Sequence, residues 1–595
     1  MNNKITRLVA FCMAVTLMIF SPAICSLGFD LYLNISMKST GKLPTVKTEE
    51  KLEKLLEYRN DRVYVNVNNT KKNSNNTNPF FNVDVLAEPT YSSNSSNPFQ
   101  DMTKFSTTGV ASDSLSISDF ATSKSESASD YSSTNVQVEG IDEADILKID
   151  GKYIYMISNN KLVIVEAYPA ETMKKVSETK IEGRAIDMFL SGEKLFLVTD
   201  DCKSNGSYRT SNINTKVVTF DVSDRTAPKE VKTFEFTGLY SSSRMICEKV
   251  YLFSTMGASR NGKLPQYREN NYESFQEVSL KEIQYVPNDT YTTYTQIFTF
   301  DLGMPLNSPK IVTYLGSSAQ NVYMSQDNLY MAQKQNGDTV VYKFSLDSEY
   351  PRYEAKGKVE GTVINQFAMD EHNGNFRIAT DDGYASRVYV LSESMHVLGS
   401  IKNIAKNEDM KSVRFEGDRC YLVTFRNTDP LFVIDLSKPR APKMLGELKI
   451  TGYSTYLQPY DENHVIGFGY DGTEWGTNGQ LKLALFDISD VENPREKFKT
   501  IISASDSELL TNHKSLLFSK DRNLIAFSVG QYRSNKVGKV YTIDLEKGFV
   551  LRGSIEHVSD VNRMLYMDDV LYATSEKNVS AHDINTVKEV NRIEI

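Results

Sequence analysis

The sequence predicts an all-β chain: a β-propeller of four-stranded blades with about nine repeat units, or eight blades if one unit is irregular. Three observations predict it. First, a short apolar strand bearing aromatics recurs after a polar turn: GKYIYMIS from Gly151, EKLFLVTD from Glu193, EKVYLFST from Glu248, DNLYMAQK from Asp327, NFRIATDD from Asn375, DRCYLVTF from Asp418, ENHVIGFG from Glu462, RNLIAFSV from Arg522 and DDVLYATS from Asp568. Second, these segments are about 42 to 48 residues apart where no insertion intervenes, which is the period of a blade. Third, no stretch after Asn135 sustains a helical period, so α/β alternation is excluded, and a β-sandwich would not repeat a unit of this size so often.

Within a unit, the aromatic strand is followed by a second strand ending in Asp, a turn, and a third strand, as in VVTFDVSDRTAPKEVKTFEF, LFVIDLSKPRAPKMLGELKI and LALFDISDVENPREKFKTII. Asp221, Asp435 and Asp487 close strands where a carboxylate can accept turn N–H groups, and Pro228, Pro442 and Pro494 fix the chain before the outer strand. That placement predicts turn chemistry rather than a ring of metal ligands. The third unit carries a polar, Tyr-rich insertion, Gly257 to Thr295, between its second and third strands, and long loops on blades tend to carry function.

Four regions follow in chain order. In residues 1–29, Lys4 and Arg7 precede an uncharged run from Leu8 to Phe29, which reads as a cleaved signal peptide or a signal anchor, since about 20 apolar residues span a bilayer. Ile24 makes a poor cleavage site and also weakens a lipoprotein reading of Cys25. Positive charge before the run sends the body out, so the chain is expected to be exported, either secreted or anchored to the outer face of the cytoplasmic membrane. Residues 30–65 hold one short amphipathic helix, Thr48 to Tyr58, with Leu52, Leu55 and Leu56 on one side; alone it is marginal and must pack on something. Residues 66–133 are rich in Ser, Asn and Thr, with too few apolar side chains to offset ordering entropy, and read as a flexible tether. The propeller occupies 134–595.

The 595 residues carry 67 Lys and Arg against 76 Asp and Glu, a net charge of −9, which gives no general electrostatic reason to bind nucleic acid. Five Cys and six His exclude a disulfide scaffold or a multi-zinc protein. Cys202 and Cys247 could meet, although burial as small apolar side chains is the simpler reading.

The segment Asn135 to Tyr155, NVQVEGIDEADILKIDGKYIY, and the stretch Val413 to Gly469, VRFEGDRCYLVTFRNTDPLFVIDLSKPRAPKMLGELKITGYSTYLQPYDENHVIGFG, resemble the secreted bacterial and archaeal proteins with a C-terminal β-propeller domain, distant relatives of Trp-Asp repeat propellers. The resemblance runs from about Asn135 to the C-terminus. It implies a propeller and an exported address, and no established reaction. Similar sequences commonly carry His where this chain has Gln458.

The known catalytic patterns fail on their own conditions. GFGYDG, Gly467 to Gly472, matches a dinucleotide fingerprint but is followed by a turn instead of a helix N-terminus. The six His show no metal spacing, and there is no G-x-S-x-G elbow. A single Trp, Trp475, argues against the Trp-bearing blades of quinone-dependent dehydrogenases. The densest acidic cluster, Glu139, Asp142, Glu143 and Asp145 in VEGIDEAD, could hold calcium, could be a solvated entry turn, or could pair with basic residues on the channel face. No other cofactor is expected.

The remaining candidate is the channel face, where the inner strand of each blade contributes side chains. Arg184, Arg244, Arg414, Tyr456, Gln458, His513 and Arg563 lie near inner strands, and converging Arg would make an anion or carboxylate site unless they pair with neighbouring acids. The expected function is a non-catalytic binding or scaffold module, a monomer, taking an extracellular protein, glycan or peptide and touching membrane only through its N-terminal segment. The alternative is an extracellular hydrolase or lyase working at an Arg-lined channel mouth, with His513 or Asp429 carrying protons.

Overall fold

The computed structural model describes residues 43–59 and 127–595, apart from 202–212, 259–262, 271–273, 288, 290, 317, 318, 320, 427, 428, 474, 475 and 532. The leader, the linker up to 126, Cys202 and Trp475 therefore lie outside the described residues, as does the side chain of Asp429. Each recurrent aromatic segment is the second strand of an antiparallel sheet, and nine such sheets follow one another around a ring. These strands are nearly continuous apolar runs because neighbouring blades cover both faces: Lys194–Asp200 is buried at every position after the first. Outermost strands have water on one side and read accordingly; Lys174–Lys180, KKVSETK, has one apolar residue, Val176, among charged and small polar ones, and no position is fully buried. The ring has nine blades, which removes the eight-bladed alternative.

Blade 1 spans 147–180 and blade 9 spans 561–594, each built from its own contiguous chain. They close the ring side by side: Ile154, Met156, Val163 and Val165 pack with Leu565, Met567, Tyr572 and Val579. The Tyr572 hydroxyl also donates to the Ala167 carbonyl at 2.8 Å. The repeated turn works as its residues suggest. Backbone N–H groups of Ser223, Ser437 and Ser489 donate to Asp221, Asp435 and Asp487 at 2.9, 2.8 and 3.1 Å. Pro494 of blade 7 leans on the outer strand of blade 6 so closely that a Cβ on Gly446 would lie 2.9 Å from its Cδ and 2.2 Å from the Val491 carbonyl oxygen.

Two blades depart from four strands. The insertion adds Gln266–Glu269 and then Gln276–Glu277 to the outer edge of blade 2, and Ile283–Tyr285 in parallel to the outer edge of blade 3; with Ile141–Asp142 on the inner edge of blade 3, both sheets are six-stranded. It also holds helix α1 (49–59), whose Leu52 and Leu56 are buried with Val46 against Met256, Val278, Ile283, Tyr285, Tyr294 and Leu315. The short helix thus finds the packing its length requires, on its own propeller.

The boundary of the polar linker differs from expectation. Residues 127–133 are already placed against blade 9: the Ser132 N–H donates to the Tyr566 carbonyl at 3.0 Å, and Tyr131 bridges Met567. Backbone hydrogen bonds do there what apolar side chains do elsewhere, which composition does not reveal.

Candidate functional site

From Tyr131 the chain does not go straight into blade 1. It crosses the ring first. The Asn135 amide Nδ2 donates to the Leu516 carbonyl of blade 8 at 2.6 Å. Gln137 donates to the carbonyls of Gln366 and Met369 beside blade 5, each at 3.1 Å, and Gln326 of blade 4 donates to the Glu139 carbonyl at 2.9 Å. Ile141–Asp142 then forms a two-residue strand on the inner strand of blade 3, Leu239–Ile246. Asp145 bridges Met188 of blade 2, and Leu147–Ile149 becomes the inner strand of blade 1. This strap, 131–146, lies across the middle of the ring.

The acids of VEGIDEAD meet the channel cations there. Glu143 Oε1 lies 2.8 Å from Arg244 Nε, with both side chains at most 5% exposed. Asp145 takes a forked pair from Arg563, Nη2 to Oδ1 at 3.0 Å and Nε to Oδ2 at 3.1 Å. Arg563 Nη1 also donates to Glu508 at 2.8 Å. Asp142 pairs with Lys148 at 2.7 Å. The Lys514 ammonium donates to the Ala144 carbonyl at 2.8 Å and lies 3.6 Å from Asp187. Burial alone would raise the Asp145 carboxyl, but Arg563 and Lys514 more than reverse this and hold it below its ordinary value. Asp187 goes the other way: burial raises it, Lys514 opposes and Asp145 adds to the rise.

The other half of the channel is aromatic. Phe367, on the one-turn helix Gln366–Ala368, has the Arg414 guanidinium 5.5 Å over its ring, and Tyr456 and His513 edge-on at 6.0 and 5.4 Å. The Tyr456 hydroxyl donates to Gln458, whose amide donates to the Pro459 carbonyl.

The seven residues expected on the channel face therefore divide. Arg244, Arg414, Tyr456, Gln458, His513 and Arg563 do converge there, but each is at least nine-tenths buried. Arg184 is elsewhere. Its exposed side chain forks onto Asp200 at the rim of blade 2, and Asp200 lines a cleft of ≈ 370 Å³ with Glu182, Lys216, Glu235 and Arg268. Glu139, Asp142, Glu143 and Asp145 are not brought together as a calcium cage, because three of them face three different cations. Among the described residues, no group of three or more His, Cys, Asp and Glu side chains could hold a metal ion. GFGYDG stays in a strand, His464–Thr473, and the next described element is the strand Gly476–Asp487, which pairs antiparallel with it.

Sequence reasoning missed Gln366, Phe367, Asp187, Glu508 and Lys514. Gln366, Phe367, Glu508 and Lys514 precede the inner strands of blades 5 and 8 in short turns, and their only sequence signal is the N-cap Asn365, Ser507 or Asn512 before each one-turn helix.

An open groove of ≈ 520 Å³ lies on the face where the first and second strands of blades 6, 7 and 8 are joined. Tyr421, Tyr460, Pro459 and Val465 line it with Glu416, Asp418, Asp461 and Glu462, against only Arg419 and Lys520.

A second buried titratable cluster sits in blade 9. His582 Nδ1 lies 3.3 Å from the Val587 carbonyl, so it carries the proton and Nε2 must accept from Ser580, 2.8 Å away. Ser580 Oγ then accepts from His557 Nε2 at 2.7 Å, leaving His557 Nδ1 to accept from Ser575 at 2.8 Å. This assignment satisfies all four ring nitrogens with both rings neutral. Burial, then Arg592 and His582, push His557 down to about 4, with Glu589 opposing.

Comparison with known proteins agrees with this architecture. The family described as "Beta propeller domain" matches residues 131–587, so the match begins where the strap meets blade 9. An uncharacterized protein of Archaeoglobus fulgidus is 29% identical over 542 residues, covering 78% of this chain and 85% of its own. One of Methanocaldococcus jannaschii is 28% identical over 558 residues, covering 78% and 83%. Among solved structures, the WD40 domain of Toxoplasma gondii coronin aligns with 13% identity over 45% of this chain and 67% of that one, at a TM-score of 0.31. With most of its length matched, and nine blades closed around one ring, this chain belongs to the beta propeller domain family.

Proposed function

We propose that the protein is an exported, non-catalytic binding module, secreted or held at the outer face of the membrane by its N-terminal segment, that takes a basic segment of an extracellular protein or peptide. The observation that carries this reading is the occupied channel: Arg244 and Arg563, the cations best suited to an anion site there, are buried and paired with the strap carboxylates Glu143 and Asp145. Recognition then falls to the outer faces. The groove between blades 6, 7 and 8 suits it, because the four carboxylates that line it outnumber its two cations and so favour Lys and Arg side chains. A hydrolase or lyase acting through Arg244 and Arg563 is disfavoured, since freeing either would leave a buried carboxylate without its cation, at about 3–5 kcal/mol.

The test is a peptide array of Lys/Arg-rich and Glu-rich sequences probed at two salt concentrations. Salt-sensitive binding of the basic set, lost in Asp418→Asn/Asp461→Asn, is expected. Equal binding by that variant would refute the groove, and turnover of any offered polymer would refute the non-catalytic reading.

A further inference from the structure

The chain docks on the propeller twice before blade 1 begins, at two separate places. At the first, residues 43–59 lie on the blade 3 insertion. The Val46 and Lys47 N–H groups donate to the Ile283 and Leu280 carbonyls, and the Tyr285 N–H donates to the Pro44 carbonyl, all at 2.9 Å. Thr45 bridges Gln284, so this stretch adds to the edge of the insertion as a strand would. Helix α1 follows with its leucines inward and ends on Arg59, which is 1% exposed. The Arg59 guanidinium donates to three carbonyls, Tyr291 at 2.6 Å, Val286 at 3.0 Å and Leu315 at 3.3 Å. Burial lowers its pKa, and neighbouring Asp289 opposes that; Asp289 itself is 2% exposed and accepts from Tyr342 at 2.9 Å. A buried cation satisfied by three carbonyls and standing beside a buried carboxylate is a built socket, specific for the end of this helix.

At the second place, Ser129 and Asp130 N–H groups donate to Asp568 at 3.0 Å, and Arg522 holds Asp130 at 2.6 Å. The intervening 60–126 chain thus starts and finishes on the same body.

We infer that residues 43–59 are a clip that holds the propeller to its own N-terminal segment independently of residues 60–126. Force applied at the N-terminus enters the ring at the edge of blade 3 and bypasses the polar chain. The consequence for attachment rests on the anchored reading above. From Phe29, where the apolar run stops, to Leu43, where the clip begins, there are only 14 residues, which reach at most about 50 Å when fully extended. An anchored propeller is therefore held close to the membrane with blade 3 nearest, and the polar chain adds nothing to its reach.

The experiment uses the full chain with a specific protease site placed between residues 66 and 126. Membranes from cells making it are cut and sedimented. With the clip, the propeller stays in the pellet after complete cleavage, and Leu52→Asp/Leu56→Asp releases it, raising the soluble fraction at least about ten-fold. Thermal denaturation of the released propeller, with a midpoint near that of the cut parent, shows that the variant has lost the clip and not the fold. Release of the cut parent to the same extent as the variant overturns the inference. If the uncut chain is already soluble, the anchored reading has failed while the clip is still tested. The cut N-terminal piece must then co-elute with the propeller on a sizing column at micromolar concentration, and separate elution overturns the clip.

Discussion

Replacing Arg244 with Met tests the strap most sharply. Arg244 and Glu143 are 2.8 Å apart with side chains 5% and 3% exposed, and the guanidinium also donates to the Ser243 carbonyl and to Gln366. Arg244→Met leaves the Glu143 carboxylate in a sealed interior without its cation, a loss of about 3–5 kcal/mol. Removing both charges in Arg244→Met/Glu143→Leu replaces the pair by apolar volume, and stability should return to within about 1–2 kcal/mol of the parent. At about 2.1 cal/mol/K per residue, the matched 131–587 region unfolds with an entropy of about 1 kcal/mol/K. The single variant should therefore melt about 3–5 °C lower and the double within about 2 °C, by calorimetry at neutral pH. A single variant that melts within 1 °C of the parent would refute the reasoning, as would a double variant worse than the single.

Other expectations follow from the same structure. His557 has its folded pKa depressed to about 4 against about 6.5 unfolded, so protons favour the unfolded state. Its contribution is complete above pH 6.5 and falls by up to about 3 kcal/mol as pH drops to 4, less in proportion to solvent screening. His557→Gln should flatten that part of the curve in urea melts run from pH 7 to 4.5; an unchanged slope would contradict the Ser–His chain. Asp187 is raised by burial, so its charge opposes folding above its unfolded pKa, and Asp187→Asn should be neutral or stabilising at pH 7.5, with a drop of more than 2 °C in melting temperature counting against this. A Cβ on Gly469 would lie 2.0 Å from the Tyr453 carbonyl oxygen, so Gly469→Ala should lose about 1–3 kcal/mol if the GFGYDG glycines serve strand crowding. No loss in a denaturant titration would reopen a ligand role for that segment.

The ring was readable because its signal is local. Each second strand, such as KLFLVTD or LIAFSV, is buried on both faces and so writes its environment as a nearly continuous apolar run, and the turn acids Asp221, Asp435 and Asp487 sit two residues from the N–H groups they accept. The channel was half readable. Arg244, Arg414 and Arg563 could be placed on inner strands by their register, but the partner of Arg563 is 418 residues away in sequence, and spacing carries no information over that distance. Pairing of the VEGIDEAD acids with channel cations was one of three readings that the residues alone left open. How the insertion packs was not readable, for a physical reason. Tyr267, Ile283 and Tyr285 look like an exposed, ligand-ready loop until helix α1, more than 200 residues earlier, covers them.

The central claim is that residues 131–146 fill the channel as a fixed part of the fold. Hydrogen exchange of peptides covering 138–149 in the full-length protein measures it directly. The account predicts protection comparable to the inner strands Leu239–Ile246 and Val561–Met567, with exchange slow over hours at neutral pH. Exchange complete within seconds, while those strands stay protected, would show an open channel and contradict it.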